Sequence, residues 1–190
     1  MDPNQQDRDW CRQAAQGNES AAERLLEAHY ARVFAYHRRQ VASDADAADL
    51  TQDTFQRVWK SLPQYGQTAN VGTWIHRIAY CTWIDWLRGR NNEQPIGELW
   101  WEIQPCPLPS PLEAVAEAEE QQRLWKEVAG LPEEERQIIH LHFGQQLTQT
   151  QTAEVLTMPL STLKVRLHSA LQRLRRRMSS PSNSSLTHLP

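Results

Sequence analysis

Apolar side chains recur at intervals of three and four residues along three stretches of the first 90 residues, the spacing of one helix face. This pattern predicts helices over residues 20–39, 50–62 and 73–90, and Pro63 is expected to end the second. The third stretch, TWIHRIAYCTWIDWLRGR, carries aromatic rings on more than one face. Because the alternation typical of strands is scarce, the N-terminal half is predicted to be helical.

Prolines interrupt this pattern in the middle of the chain. Five of them lie between residues 94 and 111, which excludes a long helix there. Beyond them the helical spacing returns over residues 112–129. The stretch GLPEEER predicts another helix, with Pro132 at its first position and glutamates that complement the helix dipole. Two further helices are predicted over residues 148–156 and 161–178.

The last two predicted helices, split by TMPLS, have the layout of a helix-turn-helix: a short support helix, a tight break and a longer helix. We therefore predict an all-α fold of two small helical domains, the second a helix-turn-helix. The stripe that faces inward is predicted to be Leu156, Leu163, Leu167, Leu171 and Leu174. The predicted division is a first domain over 1–92, a proline-rich linker over 93–111, a second domain over 112–178 and a disordered tail over 179–190.

Positive charge is concentrated at one end of a chain whose formal net charge is −3. Six lysines and arginines lie within residues 160–178, and no Asp or Glu occurs from Val155 to Pro190. A solvated terminal helix is one interpretation of such a charge run. The other is a helix that neutralises DNA phosphates, and it explains better why the charge has one sign and follows a helix-turn-helix break.

The cysteine and hydropathy patterns narrow the class of protein. Cys11, Cys81 and Cys106 are odd in number and form no CxxC, which indicates neither a disulfide framework nor a zinc cluster. No apolar run approaches the roughly 18 residues that a membrane-spanning helix needs. We expect a cytoplasmic protein with no membrane insertion.

An enzyme is the weakest of the function hypotheses. A metal hydrolase would draw on His76, His140, His142 and Cys81, but His140 and His142 are two residues apart and lie on different sides of a helix. No HExxH, phosphate-binding loop or dinucleotide-binding glycine turn occurs. We predict no catalytic residue, no metal and no cofactor.

Two long segments carry a family resemblance. DAADLTQDTFQRVWKSL followed by TWIHRIAYCTWIDWLRGR resembles region 2 of bacterial RNA polymerase sigma factors. LPEEERQIIHLHFGQQLTQTQTAEVLTMPLSTLKVRLHSALQRLRRR resembles their region 4. Because there is no room for a region 3, the whole resembles the small extracytoplasmic-function (ECF) group. This implies a transcription initiation factor that binds core RNA polymerase and promoter DNA, reads −10 and −35 elements, assists melting and is held by an anti-sigma factor.

The resemblance assigns residues to three surfaces. The expected core polymerase surface is Asp49, Leu50, Gln52, Asp53, Phe55, Gln56 and Trp59. The expected −10 surface, where aromatic rings replace the base stacking lost on melting, is Tyr65, Gln67, Asn70, Val71, Trp74, Arg77, Tyr80, Cys81 and Arg88. The expected −35 surface is Ser161, Thr162, Lys164, Val165, Arg166, His168, Ser169 and Arg173. We assign Trp83 and Trp86 to packing.

Several positions depart from the family pattern. Val71 stands near a place where an aromatic residue is common, and Cys81 where a polar one is. Thr157 replaces the usual glycine in the turn, and because threonine tolerates positive φ poorly we expect an altered break. Val165 and Ser169 stand where serine and arginine are frequent, so no −35 sequence can be inferred.

A helix-turn-helix repressor or response regulator with a helical sensing domain is the alternative function. It explains the C-terminal half equally well. It leaves the acidic helix and the aromatic helix of the N-terminal half without a role, and binding to core polymerase would distinguish it from a sigma factor.

Overall fold

The computed structural model describes residues 3–66, 70–90 and 113–179, and over these residues the chain is helical with no β-strand. The predicted linker, residues 180–190 of the tail, Gln67 and Cys106 lie outside the described residues. The helices are α1 (Pro3–Ala15), α2 (Glu19–Arg38), α3 (Asp44–Ser61), α4 (Val71–Arg90), α5 (Glu113–Ala129), α6 (Glu133–Ile139), α7 (Gln149–Val155) and α8 (Leu160–Ser179). A 3₁₀ turn at Leu62–Gln64 follows α3, and a π-helical turn at His140–Gly144 follows α6.

Side-chain caps explain where α2 and α3 begin. The Asn18 side chain accepts from the amide of Ala21, and the Ser43 hydroxyl accepts from Ala45 and Asp46. Helix α3 therefore starts six residues before the apolar pattern from Leu50 predicts. Its predicted end is confirmed, since the 3₁₀ turn containing Pro63 follows Ser61.

Helix α1 was not expected from the sequence. It packs against α2, the 3₁₀ turn and α4, with Cys11 buried and Trp10 and Ala14 partly buried against the core. The ring Nε2 of His29 lies 2.9 Å from the Asp7 carboxylate, which ties α1 to α2. Residues 3–15 are therefore part of the folded body.

The C-terminal helices follow the predicted order with small differences. Pro132 has extended backbone angles and is the N-cap of α6 rather than its first helical residue. Thr148 caps α7 through a reciprocal capping box with Gln151. The inward stripe of α8 is confirmed for Leu163, Leu167 and Leu174, whereas Leu171 is 43% exposed and the prediction for it was wrong.

The turn between α7 and α8 has the geometry of a glycine C-cap without the glycine. The amide of Met158 donates to Ala153 O at 3.0 Å and that of Thr157 donates to Glu154 O at 3.2 Å, the two bonds of a Schellman motif. Thr157 has φ of +54°. The expected alteration of the break is therefore absent, and the threonine adopts the left-handed conformation itself.

The two halves of the chain share one core. Buried side chains of α2, α3 and α4 belong to the same apolar cluster as buried side chains of α6, α7 and α8. Gln40 and Gln137 exchange amide hydrogen bonds of 3.0 and 3.1 Å across the contact, and the Tyr36 hydroxyl donates to Gln137 at 2.8 Å. We call this contact the interdomain seam.

Candidate nucleic-acid and polymerase interfaces

A cavity of about 530 Å³ opens where the end of α3, the 3₁₀ turn and the first half of α4 meet α7. Tyr65 and Trp74 line it with aromatic surface, and Arg57 and Arg77 line it with positive charge. Glu154 of α7 is its one lining residue from the second half among the described residues. Arg57 is already in an ion pair with Asp85 at 2.6 Å. The cavity therefore combines rings that can stack on a base with a cation, Arg77, that can contact phosphate.

Tyr65 and Trp74 form the aromatic wall of this cavity. Their ring centroids are 4.6 Å apart with the planes tilted by 34°. Burial raises the pKa of the Tyr65 hydroxyl, Cys11 raises it further, and a hydrogen bond from Arg8 lowers it. The ring is thus neutral and partly exposed, which suits it to stacking.

The beginning of α4 is fixed by two asparagines. Asn70 Oδ1 accepts from the amide of Thr73 at 3.2 Å, and Asn4 Oδ1 accepts from the amide of Val71 at 3.3 Å. Thr73 is one of the residues that line the cavity, and its hydroxyl is buried without a hydrogen-bond partner. The two asparagines therefore hold the turn of α4 that contributes to the cavity wall.

One of the described residues assigned to the −10 surface lies in the core. Val71 is 0% exposed, so the expectation that its side chain meets DNA is corrected: it fills the apolar core. Tyr80 is half-buried, whereas Arg77, Cys81 and Arg88 are exposed on α4. Trp83 is fully buried and its ring stacks on Trp86 at 5.3 Å, in agreement with a packing role.

The assigned polymerase surface divides in the same way. Asp49, Gln52, Asp53 and Gln56 are all exposed, and their spacing of three and four residues puts them on one polar stripe of α3. Leu50 and Phe55 are 2% and 3% exposed, so they support this stripe from within and cannot contact a partner directly. Trp59 is half-buried beside Phe55, with ring centroids 6.1 Å apart.

The assigned −35 residues occupy two sides of α8. Ser161, Lys164, Val165 and His168 are exposed, Val165 by 70%, and Thr162 is half-buried. The remaining three contact acidic residues of α6: Arg166 pairs with Glu134, and Ser169 and Arg173 bind Glu135. The outward face of α8 is therefore centred on Lys164, Val165 and His168.

Two of the histidines named in the metal hypothesis, His76 and His140, are buried. His76 Nδ1 lies 2.7 Å from Gly72 O and Nε2 lies 3.1 Å from Gln145 Oε1 across the seam. Burial lowers the pKa of His76 to about 4 and that of His140 to about 3. Within the described ranges, no three His, Cys, Asp or Glu side chains are grouped so as to hold a metal ion.

Comparison with known proteins identifies the family. Sigma-70 region 2 matches residues 25–93, and Sigma-70 region 4 matches residues 128–176. The ECF RNA polymerase sigma factor RpoE of Cereibacter sphaeroides is 35% identical over 140 residues, which cover 73% of this chain and 75% of that protein. The chain belongs to the ECF RNA polymerase sigma factors.

Other relatives agree with this assignment. The ECF sigma factor SigW of Bacillus subtilis is 21% identical over 88% of this chain and 94% of its own length. The solved structure of CnrH in complex with the cytosolic domain of CnrY covers 93% of this chain and 99% of CnrH, with a TM-score of 0.70 and 22% identity, and so shares its fold. This sigma factor is thus a transcription initiation factor, and no described helix is long and apolar enough to cross a membrane.

Sequence reasoning missed residues that complete the cavity of the sigma factor. Arg57, Thr73 and Glu154 line it. Arg57 comes from the helix assigned to the polymerase surface, and Glu154 comes from α7, which was assigned to no surface. Asn4 of α1 supports it by accepting from the amide of Val71, and α1 lies outside the region 2 match. Trp10, Cys11 and Ala14, spaced as one face of a helix, are the signal that could have revealed α1.

Proposed function

We propose that this sigma factor binds core RNA polymerase through the exposed stripe of α3, captures the melted −10 strand in the cavity at Tyr65 and Trp74, and reads the −35 element with α8. The observation that carries the proposal is the cavity, because a duplex-binding protein has no need of two adjacent aromatic rings beside an exposed arginine, Arg77. The assigned domain limits and surface residues belong to the same proposal.

The chemistry of the cavity suits an unstacked base. A base that leaves the duplex loses stacking, and stacking on an aromatic ring restores about 1–3 kcal/mol. The rings of Tyr65 and Trp74 supply that surface. Arg77 is exposed beside them and can bind the adjoining phosphate.

The −35 contact follows from the outward face of α8. Lys164 is exposed and close enough in sequence to Val165 and His168 for all three to enter one groove. Arg166 and Arg173 pair with α6 carboxylates, so their phosphate contacts require an exchange of partners. We infer that Lys164 contributes most to the salt dependence of −35 binding.

A protein partner and a location belong to this proposal. CnrH is solved with the cytosolic domain of CnrY, and an RpoE sigma factor with the anti-sigma factor NepR. We propose that this chain too is held by an anti-sigma factor. It would act in the cytoplasm, where core polymerase meets promoters.

The test separates melting from binding. A promoter is selected from a random-sequence library with the wild-type holoenzyme, and thymines near −10 are probed with permanganate. Tyr65→Ala is expected to lower thymine reactivity by about tenfold, because a stacking platform worth about 1–3 kcal/mol is lost. Duplex binding on ice is expected to change by less than about twofold, because stacking is gained only after bases unpair.

Tyr30→Ala is the matched control, because Tyr30 is 43% exposed on α2 and does not line the cavity. It should leave thymine reactivity unchanged. Wild-type holoenzyme that binds the promoter and leaves every thymine unreactive would contradict the proposal.

A further inference from the structure

Val165 has the largest exposed fraction, 70%, of the large apolar side chains in the described part of the chain. It is the sixth residue of α8, in the half of the helix that follows the break of the helix-turn-helix. Ser161 and His168, four residues before it and three after it, are also exposed, and this spacing puts all three on one face. Val165 therefore lies at the centre of the outward face of α8.

Polar side chains next to Val165 are engaged within the protein. Arg166 pairs with Glu134, and the Ser169 hydroxyl donates to Glu135 at 2.8 Å. Both carboxylates belong to α6, which holds these side chains on its own side of α8. The part of α8 that is free to meet a base edge is therefore built around the methyl groups of Val165.

Neither packing nor helix stability accounts for a valine at position 165. An apolar side chain that stays in water gains nothing from burial, and a β-branched residue forms helix less well than alanine, lysine or glutamine. The same branching leaves one strongly preferred χ1 rotamer in a helix. Val165 thus holds two methyl groups at a fixed place on the outward face.

The major groove of DNA offers one apolar group to such a side chain. Thymine carries a methyl group at C5, whereas the other bases present hydrogen-bond donors and acceptors at their edges. Valine has neither a donor nor an acceptor on its side chain. Placed against a polar base edge, it would displace water without replacing the hydrogen bonds lost; placed against a thymine methyl, it buries apolar surface on both sides.

We propose that Val165 is a specificity-determining residue that contacts the 5-methyl group of a thymine in the −35 element. The proposal rests on the proposed function of α8. Single exposed apolar residues are ordinary on protein surfaces, but this one lies on the face that meets DNA in that function. Because valine stands where serine is frequent in the family, α8 of this chain selects a base by its methyl group instead of by a hydroxyl contact.

The experiment removes the methyl group from the DNA. In the promoter selected with the wild-type holoenzyme, each thymine of the −35 element on either strand is replaced in turn by deoxyuridine, which lacks only the 5-methyl group. At one position the replacement is expected to lower the affinity of wild-type holoenzyme about fourfold, the effect of withdrawing one methyl group from an apolar contact. At that position Val165→Ala is expected to bind thymine and deoxyuridine equally, because each change removes the same contact.

Three further variants provide the controls. Val165→Ile keeps the branched apolar side chain and is expected to retain the preference for thymine over deoxyuridine. Leu171→Ala removes an exposed apolar side chain from the second half of α8 and should leave that preference unchanged. Lys164→Ala should weaken binding to both DNAs and flatten its salt dependence, again with the preference unchanged. Affinity for core polymerase, measured separately, should be the same for all variants.

The outcomes separate the thymine contact from the function on which it rests. A −35 element whose binding Lys164→Ala weakens, but at which no deoxyuridine replacement matters, overturns the contact alone. Equal sensitivity to deoxyuridine in wild type and Val165→Ala overturns it too, as does a Val165→Ala variant that loses only affinity for core polymerase. If selection yields no −35 element, or if Lys164→Ala keeps the wild-type affinity and salt dependence, the proposed function of α8 itself fails.

Discussion

At the scale of single residues, Thr157 shows how a backbone requirement can persist without its usual amino acid. Both hydrogen bonds of the Schellman motif are formed, with φ of +54° on a β-branched residue. An L-residue in this conformation costs about 1–2 kcal/mol. The sequence identifies the turn but not its φ, because TMPLS contains no glycine to indicate a left-handed position.

Thr157→Gly is expected to stabilise the protein. The steric cost at Thr157 exceeds the extra chain entropy of glycine, so the net gain in free energy of unfolding should be about 0.5–1 kcal/mol. Urea unfolding measures the change. The matched control is Thr150→Gly on the exposed side of α7, which should destabilise the helix. If Thr157→Gly leaves the free energy of unfolding unchanged or lowers it, the turn is not strained.

At the scale of helices, the polar stripe of α3 is the surface that we propose for binding core polymerase. Gln52 and Asp53 are exposed, while the opposite side of α3 buries Thr51, Thr54 and Val58. The Thr51 and Thr54 hydroxyls donate to carbonyls one turn back. Polar replacements on the stripe therefore leave the buried side intact.

Gln52→Ala combined with Asp53→Ala is expected to weaken binding to core polymerase by about tenfold or more, as when polar contacts are removed from an interface. The thermal midpoint should stay within about two degrees, because surface substitutions change stability little. A binding titration with labelled core polymerase measures the effect. The control is the double variant Gln121→Ala, Gln122→Ala, at two exposed positions of α5. Equal affinities of the two double variants for core polymerase would show that α3 is not part of the interface.

Helix boundaries were predictable where the signal is local. The ends of α2, α4 and α8 fall within two residues of prediction, because apolar spacing and caps are encoded nearby in sequence. Helix α1 was missed because the local signal, the spacing of Trp10, Cys11 and Ala14, covers little more than one turn, and its contacts with α2, the 3₁₀ turn and α4 cannot be inferred from residues 3–15 alone. The burial of Val71 and Phe55 was missed for the same reason, since family position does not specify which side of a helix faces the core.

At the scale of the whole molecule, the seam joins side chains about 100 residues apart in sequence. Gln40 and Gln137 bind each other, and the Arg39 guanidinium lies 4.5 Å above the Trp125 ring, which stacks on His140. No pattern in either half predicts such pairs. Buried polar contacts of this kind stabilise one arrangement when all partners are present, and they become costly when one partner is missing.

Acid is expected to destabilise the molecule through its buried histidines. Burial lowers the pKa of His76 to about 4 and those of His37 and His140 to about 3. The neutral histidines contribute fully to the free energy of unfolding above the unfolded-state pKa of about 6.5. This contribution is lost as pH falls toward 4, because the unfolded chain takes up protons before the folded chain does. At pH 5, each of these histidines should lower the free energy of unfolding by about 2 kcal/mol.

Urea unfolding at pH 7.5, 6 and 5 measures this dependence. The free energy of unfolding should fall steeply below pH 6.5, and His76→Gln should make the fall shallower. His168→Gln is the control, since His168 is exposed on α8. A free energy of unfolding that stays constant between pH 7.5 and 5 would contradict the expectation.

The interdomain seam also limits how far apart along DNA the two halves of the molecule can bind. Promoter elements named −10 and −35 lie about 25 base pairs apart, or about 85 Å along B-form DNA at 3.4 Å per pair. Here His76 of α4 and Gln145, just before α7, are 3.1 Å apart, and even a 20-residue helix such as α8 is about 30 Å long. One molecule therefore cannot span both elements in this arrangement. If one molecule reads both elements, Gln40 and Gln137 must first separate. Their side-chain amides must replace the hydrogen bonds between them with hydrogen bonds to water before transcription can start.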